Sequence, residues 1–425
     1  MASIQVPLQG NSEPNAEPVI LPPIGVSLPP DFNMQTLDER LQSAITDEPV
    51  SPPLGVLEHF KGAWSGTGFN QIFRPKHVKA KIDFPNKIIP VRDLPDDSVL
   101  QLSLTTETLV FSKPLGDVPN RGLGDQPDIS LNGVNYTQVV ADVTNDKTGR
   151  PDKAPLEIHF EPGLWMHIPP TAIPRKGASL SRMASIPHGT VINAQVVDPA
   201  DDEVFKGTVT SGAPTIPKTS ITPFLIRSPD QKFEFDSQTA ENQNTSRIPQ
   251  DLSKFLETGL LTTKIINNPN LILEEINKTK NIIETIEFKV NTRPLDTGGI
   301  ANIDFLEGVT NAGNPNADAS HVEATFWIEK VKHKIEVQPW KVGDPPQFLS
   351  PIDTAPGVLA PLFKVQPDRE ITAPKIIDVI ATHIQYSQKV LLDFNGLSWP
   401  HISVATLVPR PSDESAILVP NSALD

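Results

Sequence analysis

The chain has 425 residues, including 45 prolines and 24 glycines, and carries a formal net charge of −15 at pH 7. It contains no cysteine, which excludes disulfides, thiolate catalysis, zinc–thiolate sites and iron–sulfur clusters. The negative charge disfavours nucleic acid and anionic membrane surfaces as partners. The many prolines and glycines are typical of a protein that is rich in turns rather than in helices.

The first 53 residues are rich in proline, asparagine and acidic residues and predict an irregular N-terminal arm. They show neither the basic region nor the apolar region of a secretory signal. No run of apolar residues in the chain approaches the length that is needed to span a bilayer. We therefore expect a cytoplasmic protein that does not insert into a membrane, and the sequence leaves its oligomeric state open.

Residues 54–410 predict one domain of roughly eleven or twelve strands. The strand candidates that precede the C-terminal segment are Ala63–Phe73, Val99–Phe111, Val134–Val143, Leu156–Glu161, Leu164–Ile168, Leu180–Ile186, Thr190–Val197, Ile282–Asn291, Ala301–Leu306 and His321–Glu336. Apolar residues at helical spacing predict a helical insertion over 249–280. A proline-rich linker, 338–374, follows these strands, and residues 411–425 form a C-terminal tail.

Two histidines lie close to a predicted turn in the middle of the chain. Pro162-Gly163 suits the central positions of a type II turn, which would join two strands in a hairpin. In that hairpin, His167 shares an apolar face with Trp165, which makes both residues candidates for lining a pocket. His159 falls on the opposite, polar face, where we expect contact with solvent.

The most informative segment is Lys375–Pro409, which predicts a long β-hairpin closed by Asn395-Gly396. Both residues of such a turn need positive φ, so an Asn-Gly pair between β-rich runs is a strong hairpin signal. The turn sets a register in which Val390 lies opposite His401. Paired residues share a face, and successive pairs alternate between faces. The more apolar face contains, among others, Tyr386, Val390, Leu392, Trp399 and His401.

His401 is the strongest single candidate for a functional side chain. On the apolar face of the hairpin, Leu392 and Trp399 flank it one pair away. A neutral imidazole in such surroundings can bind a metal ion or a haem iron, or can form a hydrogen bond within the core. The sequence leaves both interpretations open. Arg74, at the end of the first strand, is a candidate anchor for a carboxylate or a haem propionate.

The segment Leu57–Gly68 carries the pattern Gly-x-Trp-x-Gly-x-Gly, which begins at Gly62. It resembles the first strand of the calycins, which include lipocalins, fatty-acid-binding proteins and nitrobindin-like haem barrels. The extended pattern is most similar to the nitrobindin-like group. The resemblance implies a barrel in which Trp64 plugs the closed end and Arg410 packs over it. It also implies haem ligation by a histidine near the C-terminus, and His401 matches that position.

We therefore expect an all-β, calycin-like, up-and-down antiparallel β-barrel with a helical insertion and a long N-terminal arm. Its expected function is to bind a hydrophobic small molecule, specifically haem with His401 as the axial ligand, which would permit peroxide or nitrogen-oxide chemistry. One alternative is a cofactor-free enzyme for a lipid-like or polyketide-like substrate, with His167 or Glu157 as the acid or base. The other is a structural protein without a sizeable cavity. The sequence does not decide whether the protein is an enzyme.

Overall fold

The computed structural model describes residues 51–75, 98–186, 189–243, 245–293, 298–303, 318–355, 357–394 and 397–424. The predicted N-terminal arm up to Val50 and the predicted turn at Asn395-Gly396 lie outside these residues. No helix in the described ranges combines the length and the apolar character that crossing a membrane requires.

The described part of the chain contains ten long strands. They are β1 Gly62–Pro75, β2 Ser98–Phe111, β3 Ile129–Asp142, β4 Leu156–Ile168, β5 Ser179–Ile186, β6 Thr190–Val196, β7 Asn281–Asn291, β8 Asp318–Val337, β9 Lys375–Phe394 and β10 Leu397–Pro409. Each strand pairs antiparallel with the next one along the chain, and β10 pairs with β1. The sheet therefore closes into a barrel, which confirms the predicted all-β, up-and-down antiparallel fold.

The remaining elements are short. The helices are α1 Ser253–Thr258, α2 Thr263–Asn267 and α3 Leu271–Asn277, with 3-10 turns at Gly55–His59, Asp236–Gln238, Asp413–Ser415 and Asn421–Leu424. The short strands are Val118–Asn120, Thr171–Ala172, Arg175–Lys176, Thr208–Ser211, Phe224–Leu225, Ser228–Lys232, Arg247–Ile248, Gly299–Asn302, Gln347–Leu349, Phe363–Val365 and Ile417–Val419. The helical insertion is confirmed as three short helices, and Gly259 ends the first of them with φ at 73°.

The predicted register of the C-terminal hairpin is confirmed. The pairs between β9 and β10 run without a shift from Ile384 opposite Leu407 to Phe394 opposite Leu397, with Val390 opposite His401. Once Phe394 pairs with Leu397, the antiparallel register determines every later pair. His401 therefore lies on the same face of the sheet as Tyr386 and Val390.

The predicted turn at Pro162-Gly163 is wrong, because β4 runs through both residues without interruption. Gly163 lies opposite Tyr136, and a Cβ atom at Gly163 would lie 2.4 Å from the tyrosine ring. The glycine thus makes room for a ring rather than for a turn. Pro162 precedes the segment that pairs with β5, so a strand can contain proline there. His159 and His167 consequently share one face of a single strand.

The insertion covers the outer wall of the barrel at β1, β2 and β10. The second hydrophobic core of the protein lies between them and includes Phe69, Leu102, Ile402 and Val404 from the strands and Leu252, Phe255, Ile266 and Leu273 from the insertion. These strands are therefore buried on both faces. Burial on both faces explains why their sequences alternate poorly between apolar and polar residues.

The predicted linker and tail also contribute to the fold. Gln347–Leu349, Phe363–Val365 and Ile417–Val419 form a three-stranded sheet. Its buried side chains pack in a third core against residues near the end of β8 and the start of β9, including Ile335, Val337, Ile377 and Val379. A small three-stranded sheet therefore packs against parts of the two longest strands, β8 and β9.

The glycines after Trp64 allow close contact between β1 and β10. A Cβ atom at Gly68 would lie 2.3 Å from the carbonyl oxygen of Val404, and one at Gly66 would lie 2.6 Å from that of Thr406. Both distances are shorter than any real Cβ contact. The Gly-x-Gly part of the sequence pattern is therefore a packing requirement at the seam where the barrel closes.

We expect Gly68→Ala to lower the free energy of unfolding by about 1–3 kcal/mol, because the added methyl group forces the closing strands apart. Urea denaturation followed by circular dichroism measures the change. Ser65→Ala on the same strand is the control and should change stability by less than about 0.5 kcal/mol. Equal denaturation midpoints for the two variants would contradict this account of the closing seam.

Candidate functional site

One end of the barrel interior is filled with large side chains. Phe60 stacks on Phe111 at 4.9 Å between ring centroids, and Trp165 packs edge-on against Phe326 at 5.2 Å. Trp64 belongs to the same core and donates from Nε1 to the carbonyl oxygen of Lys61 at 2.9 Å. Side chains thus fill this end of the barrel, and the plugging role that the resemblance implies for Trp64 stays a prediction.

A belt of buried polar side chains crosses the middle of the barrel. Arg182 Nη2 on β5 donates to Glu161 Oε1 on β4 at 2.6 Å, and neither side chain is exposed by more than 5%. Arg182 also donates from Nε to the Tyr136 hydroxyl at 2.9 Å and from Nη1 to Gln388 Oε1 at 2.7 Å. His159 Nε2 lies 3.1 Å from Glu161 Oε2. One guanidinium therefore connects β3, β4, β5 and β9 inside the barrel.

A second carboxylate in the belt has a different environment. Glu107 on β2 accepts a hydrogen bond from the Tyr386 hydroxyl at 2.7 Å and one from Gln138 Nε2 at 2.7 Å. Gln138 also lies 3.1 Å from the Tyr386 hydroxyl. All three side chains are buried.

The pKa values of the two carboxyl groups of the belt are shifted in opposite directions. Burial raises the pKa of Glu107 to about 7, although the hydrogen bonds from Tyr386 and Gln138 lower it. Burial also favours a raised pKa for Glu161, but the Arg182 guanidinium and the hydrogen bonds from His159 and Tyr136 outweigh it and lower that pKa to about 2. Glu161 is therefore ionised at neutral pH, while Glu107 is close to its midpoint.

The other end of the barrel interior holds a cavity of about 270 Å³. Its apolar lining includes Ile72, Val140, Ile186, Val390 and Leu392, and its polar lining includes Gln138, His159, Tyr386, Gln388 and His401. Gln138, Tyr386 and Gln388 belong both to the cavity and to the polar belt. The belt therefore forms the inner wall of the cavity, and the aliphatic side chains form its sides.

His401 lines this cavity, as its position on the hairpin predicted. Its Nε2 lies 2.9 Å from Asn70 Oδ1, and an amide oxygen only accepts, so Nε2 carries the proton. Asn70 on β1 thereby fixes the orientation of the ring and its tautomer. The imidazole is thus a hydrogen-bonding group in the cavity wall.

The cavity fits haem poorly. A volume of about 270 Å³ lies below the range of about 300–1,000 Å³ that drug-sized ligands occupy, and a porphyrin is larger than most of these ligands. The Nε2 atom of His401 is held by Asn70 rather than directed at an open coordination position.

The structure separates the other residues that the sequence singled out. Tyr386, Val390 and Leu392 line the cavity with His401. Trp399 packs instead against Phe73 and Phe235 in the second core, with ring centroids 5.7 and 6.0 Å apart. Its aromatic partners thus come from β1 and from the segment just before the 3-10 turn Asp236–Gln238.

The remaining predicted residues lie away from the cavity. Trp165 belongs to the packed end of the barrel, and His167 Nε2 accepts a hydrogen bond from the backbone N–H of Phe205 at 3.1 Å. The backbone of Arg74 pairs with Val99, and its side chain is outside the described atoms. The backbone N–H of Arg410 donates to the carbonyl oxygen of Ala63 at 2.8 Å, and its packing over the tryptophan stays a prediction.

Sequence reasoning missed the side chains that form the belt. The expectation that His159 lies on the opposite, polar face is wrong, because His159 shares the inner face of β4 with His167 and lines the cavity beside the fully buried Glu161. This error follows from the false turn at Pro162-Gly163, which reversed the faces of part of β4. If β4 is treated as one uninterrupted strand, alternation places His159 and Glu161 inside the barrel with Trp165.

Comparisons with models of protein families, with curated proteins and with solved structures find no match for this chain. The class of the protein is therefore defined by its fold and site alone. It is a closed ten-stranded antiparallel β-barrel, in the described part of the chain, with one filled end, a buried polar belt and a cavity.

We expect Glu161→Gln to destabilise the protein by about 3–5 kcal/mol, because the variant leaves the Arg182 guanidinium buried without its anion. Arg182→Met should have a cost of the same order, since it leaves a buried carboxylate. The double variant should lose much less than the sum of the two single changes. Urea denaturation of all four proteins measures this coupling, and additive losses would contradict the buried ion pair.

The raised pKa of Glu107 predicts a pH dependence of stability. An acid that binds its proton more tightly when folded stabilises the protein fully below its unfolded pKa of 4.5, and this stability is lost as the pH rises through about 7. Glu107→Gln removes that loss. Between pH 4.5 and pH 8, the free energy of unfolding of the variant should rise relative to that of the wild type by on the order of 3 kcal/mol.

Chemical denaturation of the wild type and Glu107→Gln at several pH values within this window checks the prediction. The comparison isolates Glu107 because every other titrating group is present in both proteins. A difference in stability that stays constant with pH would show that this carboxyl group titrates normally in the folded protein.

Proposed function

We propose that this protein binds a small, mainly apolar molecule with one or two hydrogen-bonding groups, inside a calycin-like barrel. The observation that carries the proposal is the cavity of about 270 Å³ between aliphatic walls and the polar belt. The aliphatic walls favour an apolar body by removing it from water. The hydroxyl of Tyr386 and the amides of Gln138 and Gln388 fix the orientation of a polar end.

The proposed ligand is smaller than haem, although haem is the ligand that the sequence resemblance suggested. The size of the cavity and the hydrogen bond between His401 and Asn70 favour a compact molecule over a porphyrin. His401 is then a hydrogen-bonding partner for the ligand. Peroxide or nitrogen-oxide chemistry belongs to the haem alternative alone.

The two alternative functions have less support. Glu157 is exposed, and His167 is held by the backbone of Phe205 outside the cavity, so neither is placed to act on a molecule bound there. A purely structural protein predicts an interior without a sizeable cavity, and the interior contains one. Binding is therefore the function that the geometry favours.

Titration with N-phenyl-1-naphthylamine, an uncharged fluorescent probe, tests the proposal. We expect a saturable rise in fluorescence with the wild-type protein and at least a tenfold weaker affinity for Val390→Phe, because the larger side chain fills the cavity. Val191→Phe is the matched control, since Val191 is half exposed on β6. It should bind the probe like the wild type.

Two outcomes would overturn the proposal: no saturable signal with the wild type, or equal loss of binding in both variants. A haemin titration decides between the two ligand classes. We expect no shift of the Soret band that depends on His401. A shift that occurs in the wild type and disappears in His401→Ala would assign haem to the barrel instead.

A further inference from the structure

Outside the barrel interior, two buried histidines face each other on neighbouring strands. His333 Nε2 on β8 lies 3.2 Å from His383 Nε2 on β9, and the centroids of the rings are 5.3 Å apart. Both residues are less than 10% exposed. The pair lines a second cavity, of about 540 Å³, between the outer wall of the barrel, α3 and the loop that contains Asp353. The function proposed above does not involve this cavity.

We propose that His333 and His383 form a binding site for a divalent transition-metal ion such as Zn²⁺. In a tetrahedral zinc site with Zn–N distances of about 2.0–2.1 Å, two ligating nitrogen atoms lie about 3.3 Å apart. The two Nε2 atoms are at that separation. The sequence has no cysteine, and imidazole is a ligand type that suits Zn²⁺ and similar ions.

The second nitrogen of each ring fits this assignment. His333 Nδ1 lies 3.7 Å from Asp353 Oδ1. A carboxylate beside Nδ1 favours the proton on that nitrogen and leaves the lone pair on Nε2, an arrangement that is common for histidines that bind metals. His383 Nδ1 has no hydrogen-bond partner among the described residues, so its polar contact is made through Nε2.

Asp353 is held in place by the backbone. The N–H of Lys334 donates to Asp353 Oδ2 at 3.1 Å, and the N–H of Ile352 donates to the carbonyl oxygen of Lys334 at 2.8 Å. The carboxylate is thereby fixed to β8 one residue beyond His333. This arrangement supplies negative charge next to the histidine pair.

The electrostatic surroundings permit a cation. Burial lowers the pKa of His333 and, together with Lys280, lowers that of His383 well below its usual value, so both rings are neutral. Lys280 contributes to lowering the pKa of both rings, and Glu329 pairs with it at 2.7 Å and offsets its charge. Asp353 adds negative charge beside His333.

Two imidazoles supply half of a tetrahedral set of ligands. The cavity of about 540 Å³ has room for water molecules or for the donor groups of a bound molecule at the other two positions. Its lining combines hydroxyl groups, such as that of Thr279, with aliphatic residues such as Val358 and Leu359. The site is thus open on the side of the cavity.

Isothermal titration of the full chain with ZnCl₂ tests the proposal, with protein that carries no histidine tag. We expect one equivalent of Zn²⁺ to bind, and at least a tenfold loss of affinity in both His333→Ala and His383→Ala. Asp353→Asn should weaken binding by about tenfold or more, because it removes the carboxylate beside the ligating ring. His321→Ala, on the same strand as His333, is the matched control and should bind like the wild type.

A second measurement keeps the test valid if a variant folds poorly. Zn²⁺ should raise the unfolding temperature of the wild type, and Co²⁺ should give visible absorption bands typical of a tetrahedral site. Unchanged thermal unfolding of the wild type in Zn²⁺, with no saturable binding, would mean that the pair is only a hydrogen bond between two rings. Binding of equal affinity in both alanine variants would place the ion elsewhere. Either result overturns the proposal.

Discussion

The buried ion pair between Arg182 and Glu161 is the interaction on which the barrel interior depends. Neither charge is stable alone in surroundings from which water is excluded, so each requires the other. Through Tyr136 and Gln388 the same guanidinium contacts strands on different sides of the barrel. The pair therefore sets the boundary between the packed end, where aromatic rings fill the interior, and the end that stays open as a cavity.

The belt also gives the cavity its chemical character. An interior lined only by aliphatic side chains would bind apolar molecules without a preferred orientation. Here Tyr386 and Gln138 present hydrogen-bonding groups to the cavity, and their other contacts hold them still. Glu107 accepts from both, which keeps these two donors directed and makes its own protonation depend on the state of the belt. Under the proposed function, ligand binding at this wall would therefore be coupled to the buried charges.

The outer wall is as much a part of the fold as the interior. The insertion buries one side of the strands that close the barrel, and the small sheet built from the linker and the tail covers the long ends of β8 and β9. Covered surfaces of this kind create clefts between the barrel and what lies on it. The cavity beside His333 and His383 is one of them, and among the described residues it shares no lining side chain with the barrel cavity.

The sequence by itself determined the features that depend on local geometry. The Asn-Gly pair in the sequence predicted every pair from Ile384 to Phe394, and alternation then predicted that His401 faces inward. Sequence reasoning failed at Pro162-Gly163, because a proline–glycine pair fits either a turn or a close contact within a strand. Only the position of the Tyr136 ring shows why residue 163 is a glycine.

Only the tertiary structure decided which polar groups meet and which surfaces are covered. Arg182 and Gln388 are 206 positions apart in the chain, and β1 closes the barrel against β10 across most of its length. No local pattern encodes such partners, because each half of a buried ion pair looks like an ordinary surface charge until the fold brings the other half to it.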